Sequence, residues 1–191
     1  MSKRTAKEKL LEAAADLFYN NGITATGIDT ITAKAKVAKM SLYNNFSSKS
    51  DLIAAYLKQR HEEWLSLYEK QLLGTSTPQE AILAIFDAYR NHAEHEYEKG
   101  FRGCGLLNAA AELPAGSEGR RTVRGHKQAV EDILFLHIHS MLTDDQRARD
   151  LSEQLSFILE GSIARAGLEG NSDKLLSARR IAKKLIEREI K

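Results

Sequence analysis

An all-α fold of about nine helices is what this sequence predicts, and three observations carry the prediction. Val, Ile and Thr show no sustained alternation at the period of two that strands favour, and only 2 of the 191 residues are Pro. Apolar residues recur instead at three- and four-residue spacing. Helix starts are marked by Ser or Thr followed three residues later by an acid or amide, a pairing that satisfies the amide donors left open at a helix N-terminus. Thr5 with Glu8, Thr26 with Asp29, Ser48 with Asp51, Thr77-Pro78 with Glu80 and Thr143 with Gln146 fit this pattern.

Taken in order, the first helix is expected over 5–21, with Leu10, Leu11, Ala14, Leu17 and Phe18 as its apolar stripe and Gly22 as its stop. Two short helices follow at 28–35 and 39–45. A long helix over 49–73 carries Ile53, Tyr56, Leu57, Trp64, Leu67 and Tyr68 and stops near Gly74. The stripe Ile82, Phe86, Tyr89, Ala93 predicts 78–99, ended by Gly100. A helix at 103–112 leads into a loop over 113–119. Val130, Ile133, Leu134, Ile138 and Met141 predict 118–141, and Leu151, Leu155, Ile158, Leu159 and Ile163 predict 144–168, ended by Gly170. The last helix, 173–190, rests on Leu175, Leu176, Ala182, Leu185 and Ile186.

Composition excludes several classes. One Cys leaves no disulfide framework and no Cys-based zinc site. No apolar run approaches the roughly 18 residues of a membrane span, and Met1-Ser2-Lys3-Arg4 leads into a charge-dotted helix rather than a signal peptide, so a cytoplasmic protein with no membrane partner is expected. With no nucleophile elbow, P-loop, Gly-rich dinucleotide turn or zinc signature, no enzyme, cofactor or metal site is expected. The net charge of +2 hides a division: residues 1–60 carry +5 and residues 61–191 carry −3.

The basic segment also holds the most specific pattern. The helices 28–35 and 39–45, about three residues apart after a longer helix, have the proportions of a helix-turn-helix. Ile28, Ile31, Ala35, Val37, Leu42 and Phe46 would hold them against Leu17 and Phe18, leaving Lys39, Met40, Ser41, Tyr43 and Asn44 less buried on the second helix. In such a motif the second helix enters the major groove, where short polar side chains reach base edges and flanking groups hold phosphates. Ser48-Lys49 offers amides, a positive dipole end and an ammonium to one phosphate.

Phe18 with Gly22, Thr26 through Ile31, the run Ala35-Lys36-Val37-Ala38-Lys39-Met40-Ser41-Leu42-Tyr43-Asn44-Asn45-Phe46, and Ser48-Lys49-Ser50-Asp51-Leu52 resemble the DNA-binding domain of TetR-type transcriptional regulators. The Leu-Tyr-x-x-Phe step followed by Ser-Lys-x-x-Leu is the strongest part of that likeness. The resemblance implies a DNA-binding domain over 4–64, with its helix-turn-helix at about 27–46, and an effector-binding and dimerisation domain over 65–191. It implies that Thr26 caps helix 2 at a phosphate, that Lys39, Met40 and Ser41 face bases, and that Tyr43, Asn44, Asn45 and Lys49 hold the DNA backbone. Two positions depart from the family pattern. Lys36 stands where Gly is usual in the turn, at a cost of about 1 kcal/mol that one more phosphate contact would offset. Ala38 stands where Ser or Thr would cap helix 3, forgoing about 0.5–2 kcal/mol.

In the C-terminal part the likeness is architectural. Trp64, Tyr68, Phe86, Tyr89, Phe101, Cys104, Asn108, Phe135, His137 and Phe157 are candidates to line an effector pocket, the alternative for the aromatics being plain core packing. Cys104 is either a redox sensor or a small apolar filler. His92 and His95, beside Glu96, read as surface histidines rather than ligands, and His137 lies on an apolar stripe. Leu151, Leu155, Ile158, Leu159, Gly161, Ser162, Ile181 and Leu185 are candidates for the two-fold dimer interface that the family builds from its last two helices. The expected protein is a homodimeric repressor that binds a palindromic double-stranded operator and is released by a partly apolar small molecule. An activator, or an adaptor that keeps the fold without binding DNA, is the alternative.

Overall fold

A computed structural model describes residues 4–190, and among them are nine helices and no strand. These are α1 (Ala6–Asn21), α2 (Ile28–Ala35), α3 (Lys39–Asn45), α4 (Lys49–Leu72), α5 (Pro78–Ala93), α6 (Gly105–Glu112), α7 (Glu118–His139), α8 (Asp145–Glu169) and α9 (Asp173–Glu189). No helix among the described residues is long and apolar enough to cross a membrane.

The capping pattern places most helix starts. Thr5 and Thr77 form complete reciprocal boxes with Glu8 and Glu80, and Ser48 Oγ accepts from the Asp51 amide at 3.1 Å. Two expected caps are displaced. Asp144, not Thr143, caps α8, its carboxylate accepting from the amides of Gln146 and Arg147. Thr26 does not cap α2: it is buried, and its hydroxyl donates to the Gly22 carbonyl at 2.6 Å, so Gly27 becomes an N-cap with no side-chain bond. Gly22 and Gly170 end α1 and α8 as expected. Helix α5 stops at Ala93 rather than 99, because the charged stretch after it supplies no apolar stripe to bury, and Gly100 turns the loop that follows.

The chain forms two compact units, and the division is not a single cut. One unit joins the residues up to His61 with Gly105–Arg124, and the other joins Glu62–Cys104 with Gly125 onward. A boundary near 64 therefore describes only the first crossing. The 105–124 segment returns to the N-terminal unit because α6 packs on α1, where Gly105 comes so close that a Cβ would lie 3.1 Å from both the Tyr19 ring and the Tyr56 hydroxyl.

In the N-terminal unit, Leu10, Ala14, Leu17 and Phe18 of α1 pack with Ile31, Leu42, Phe46, Leu52, Tyr56 and Leu57, all buried, and Phe18 meets Tyr56 edge-on at 5.4 Å. In the C-terminal unit α5, α8 and α9 pack on one another. Their shared core is Ile82, Ile85, Phe86, Leu155, Leu159, Ile163, Ala178, Ala182 and Ile186. Arg179 Nε on the Asp87 carboxylate, at 2.8 Å, ties α9 to α5 at the margin.

Candidate functional site

The helix-turn-helix is built by its buried positions. Ile31 and Ala35 of α2 and Leu42 of α3 face inward, so the turn between them must be tight. Lys36 makes it so: at φ 54° and ψ 47° it is left-handed, its amide donates to the Ala33 carbonyl and the Val37 amide reaches Thr32, the double bond of a Schellman stop. The strain expected of a non-Gly residue is thus present. Ala38 N-caps α3 without a side-chain bond, also as expected.

With Leu42 and Phe46 buried, α3 presents Lys39, Met40, Tyr43 and Asn44 on its exposed face; Met40 is 70% exposed and Tyr43 49%. Ser41 and Asn45 are half-buried, and the Asn45 amide donates to the Ser41 carbonyl at 2.7 Å, closing the helix's own end. Lys39 is paired with Asp29 of α2 at 2.7 Å, and this hydrogen bond raises its pKa. Lys49 is half-buried and donates to the Ile23 carbonyl at 2.7 Å, which spends one of its three donors on fixing the loop before α2. Thr26 has its hydroxyl turned inward and offers no side chain to a phosphate. The start of α2, which the resemblance places at a phosphate through Thr26, instead has Gly27 as an N-cap with no side-chain bond and Thr30 exposed on its first turn, so its open amides rather than a threonine hydroxyl are what it presents.

Sequence reading missed Glu112, the last residue of α6. Its carboxylate accepts from the amides of Ile23 at 3.0 Å and Thr24 at 2.7 Å, setting the loop between α1 and α2. The partners lie 89 and 88 residues apart, so no local pattern announces them.

In the C-terminal unit five of the effector candidates converge. Trp64 and Tyr68 of α4 stack at 5.7 Å, Trp64 meets Tyr89 edge-on at 5.7 Å, and the Tyr68 hydroxyl lies 2.7 Å from His137 Nε2. Cys104 Sγ is 3.6 Å from the ammonium of Lys127, which also bonds Glu160 Oε1 at 2.8 Å and reaches the Tyr89 hydroxyl at 3.5 Å. His126 closes the group edge-on to Trp64 at 5.4 Å. Burial opposes the Lys127 charge, but Tyr89, Cys104 and Glu160 outweigh it and hold its pKa above the ordinary lysine value. Burial pushes the Tyr68 phenol up to about 12, lifts that of Tyr89 further, and lowers the pKa of His137.

Lys127, Glu160 and His126 were not anticipated. A signal existed for two of them: His126 and Lys127 fall three and four residues after Val123 and four and three before Val130, on the stripe that α7 buries.

The remaining candidates lie elsewhere. Phe86 is plain core, and Phe101 is buried 6.1 Å from the His92 ring, which also meets the Tyr97 hydroxyl. Asn108 belongs to α6 and to the N-terminal unit. Phe135 stacks on His139 and lies 4.7 Å under the Arg149 guanidinium. Phe157 is 65% exposed and points away from any core.

Of the interface candidates, Leu151, Leu155 and Leu159 are buried inside their own chain and cannot meet a partner; Ile158, Ser162 and Leu185 are half-buried, and Gly161 and Ile181 exposed. The outward stripe of α8 is Phe157, Gly161, Ala164 and Leu168, at helical spacing.

Residues 10–56 match the family model described as bacterial regulatory proteins, tetR family. The match falls on α1 to α4, the helices that carry and flank the exposed face of α3. The fold agrees over nearly the whole chain with SCO4454, a TetR-family transcriptional regulator from Streptomyces coelicolor, at TM-score 0.85 and 27% identity, covering 97% of this chain and 95% of that one. Residues 10–56 thus form a TetR-type DNA-binding segment, and the chain as a whole has the fold of a TetR-family regulator. Among its TetR-type relatives, the HTH-type transcriptional activator FasR of Mycolicibacterium smegmatis is 38% identical over 95 residues, 49% of this chain and 42% of that protein. The HTH-type transcriptional repressor DhaR of Mycobacterium sp. strain GP1 is 28% identical over 183 residues, 92% of this chain and 89% of its own. The chain thus spans less than half the length of FasR, and likewise 44% of the repressor KstR2.

Proposed function

We propose that this chain is a homodimeric TetR-type repressor that binds a palindromic operator through α3 and is released when a small molecule occupies its C-terminal unit. The observation that carries the reading is the two-faced α3: Leu42 and Phe46 anchor it, while Lys39, Met40, Tyr43 and Asn44 stand on the opposite, exposed face. Met40 and Ser41 are assigned to base edges, Tyr43, Asn44 and Lys36 to the DNA backbone, and Lys39 to either once it leaves Asp29. The open amides at the start of α2 take one phosphate.

The reading requires a dimer, because two recognition helices must meet successive half-sites. The outward stripe of α8, with Phe157 and Leu168, and the exposed Ile181 of α9 are the surfaces assigned to the partner. The effector's effect runs along the chain. Cys104 belongs to the aromatic and polar cluster; the next residue, Gly105, begins α6, whose far end holds the Ile23 and Thr24 amides through Glu112.

Selection of genomic DNA fragments by the purified protein tests the proposal. Recovery of one inverted repeat is expected, bound less tightly once a substrate or product of an enzyme encoded nearby is added. Failure of a folded dimer to enrich any sequence would leave the adaptor reading, and binding strengthened by that compound would favour an activator.

A further inference from the structure

Two polar atoms at the C-terminal cluster are buried without a partner. Among the described residues, the indole Nε1 of Trp64, a residue 94% buried, finds no acceptor, and Glu160 Oε2 finds no donor although its sister oxygen holds Lys127. Buried donors and acceptors are nearly always satisfied, so an orphan donor and an orphan acceptor on residues of one cluster call for a reason. Tyr89 connects the residues that carry them: its ring lies 5.7 Å from that of Trp64 and 5.6 Å from the Lys127 ammonium that Glu160 Oε1 holds.

Resting on the effector reading above, we infer that this cluster selects an uncharged ligand, one whose polar end carries a hydrogen-bond acceptor and a donor side by side, as a carboxamide or a hydroxyl does. The acceptor meets the Trp64 N–H and the donor meets Glu160 Oε2. The ligand's apolar body lies along the Trp64, Tyr68 and Tyr89 rings. Charge sorts the alternatives. Lys127 and Glu160 cancel each other, so an added carboxylate meets the unshielded oxygen of Glu160, and an added ammonium meets Lys127. A neutral donor–acceptor pair satisfies both orphans and leaves the ion pair intact.

The sequence supplies the probe, since Trp64 is the only Trp in the chain. Its fluorescence is titrated in the full protein with three compounds of matched shape that do not absorb near the indole: cyclohexanecarboxamide, cyclohexanecarboxylate and cyclohexylmethylammonium. Saturable binding of the carboxamide, at least ten-fold tighter than either ion, is expected. In Glu160→Gln, checked for native helicity, the uncompensated Lys127 should invert the order in favour of the carboxylate; in Lys127→Gln the ammonium should gain.

An ion preferred by the unaltered protein, or an order unchanged in both variants, would overturn the ligand class. Absence of a saturable response to any of the three compounds would make the cluster purely structural. Operator binding measured in parallel separates this inference from the reading beneath it: a carboxamide that binds yet leaves operator affinity unchanged would sink effector release while the site stands.

Discussion

Gly22→Ala tests how the loop ahead of α2 is held. At φ 89° and ψ 161° the residue occupies backbone space that is nearly reserved for glycine, and an alanine forced to stay there costs about 1–3 kcal/mol. Its Cβ would also lie 2.6 Å from Glu112 Oε1, so the carboxylate must withdraw and release the Ile23 and Thr24 amides. A hydrogen bond to a charged acceptor contributes about 1.5–3 kcal/mol, and the exposed Thr24 amide recovers much of its share from water, so the partly buried Ile23 bond dominates. Gly22→Ala should therefore lose about 3–5 kcal/mol and Glu112→Ala about 2 kcal/mol. The double variant should be scarcely less stable than Gly22→Ala alone, because the alanine has already broken what the second change removes. Urea unfolding followed by helical circular dichroism closes the cycle. Losses that add to within about 0.5 kcal/mol would refute the shared cause.

Three further outcomes follow from the same geometry. Lys36→Gly should stabilise the protein by about 1 kcal/mol by relieving a left-handed residue, yet weaken operator binding and flatten its salt dependence by about 0.9 in slope for each phosphate released; an unchanged slope would remove Lys36 from the DNA surface. Phe157→Glu should convert the proposed dimer to a monomer by light scattering and weaken operator binding, whereas a persistent dimer would move the interface off the outward stripe of α8. Because burial lowers the His137 pKa, the unfolded chain takes up this proton near pH 6.5 while the folded chain does so only at lower pH. Stability should thus fall as pH drops below about 6.5, and His137→Gln should show a smaller loss of Tm between about pH 7.5 and 5.5.

What was legible in the sequence is what local rules write. The helix-turn-helix follows from residue type and short spacing, and the left-handed Lys36 and the uncapped Ala38 were legible through the family resemblance, as departures from its turn Gly and its capping Ser or Thr. Caps failed where two local candidates competed. Asp144 stands beside Thr143 and caps as well, and Thr26 found a stronger use for its hydroxyl inside the N-terminal unit. The α8 stripes show a different limit. A helix apolar on two sides displays both Leu151-Leu155-Leu159 and Phe157-Gly161-Ala164-Leu168, and nothing in the pattern says which side its own chain buries. Glu160 and Glu112 were invisible because their partners are remote in the chain. Lys127 was readable as a charge on an apolar stripe, a conflict between local pattern and polarity of the kind that marks a functional position.

The short helix α6 has an interaction of different character at each end. Its N-terminal side follows Cys104, 3.6 Å from the Lys127 ammonium; its C-terminal residue carries the carboxylate that fixes the loop before α2. Eight helical residues span about 12 Å, and a hydrogen-bonded helix of that length shifts as a body rather than bending. If the proposed effector displaces Cys104, the chain continuity from Cys104 into α6 would carry that displacement toward Glu112. The bonds at stake there are worth about 1.5–3 kcal/mol, and an allosteric coupling of about 1–3 kcal/mol already changes affinity roughly 5- to 150-fold. On the proposed reading, straining the Glu112 bonds would supply a coupling of the size that operator release needs. It follows that Glu112→Gln, which keeps an acceptor but weakens it, should retain DNA binding while narrowing the difference between ligand-bound and ligand-free affinity, and an undiminished response would place the coupling outside α6.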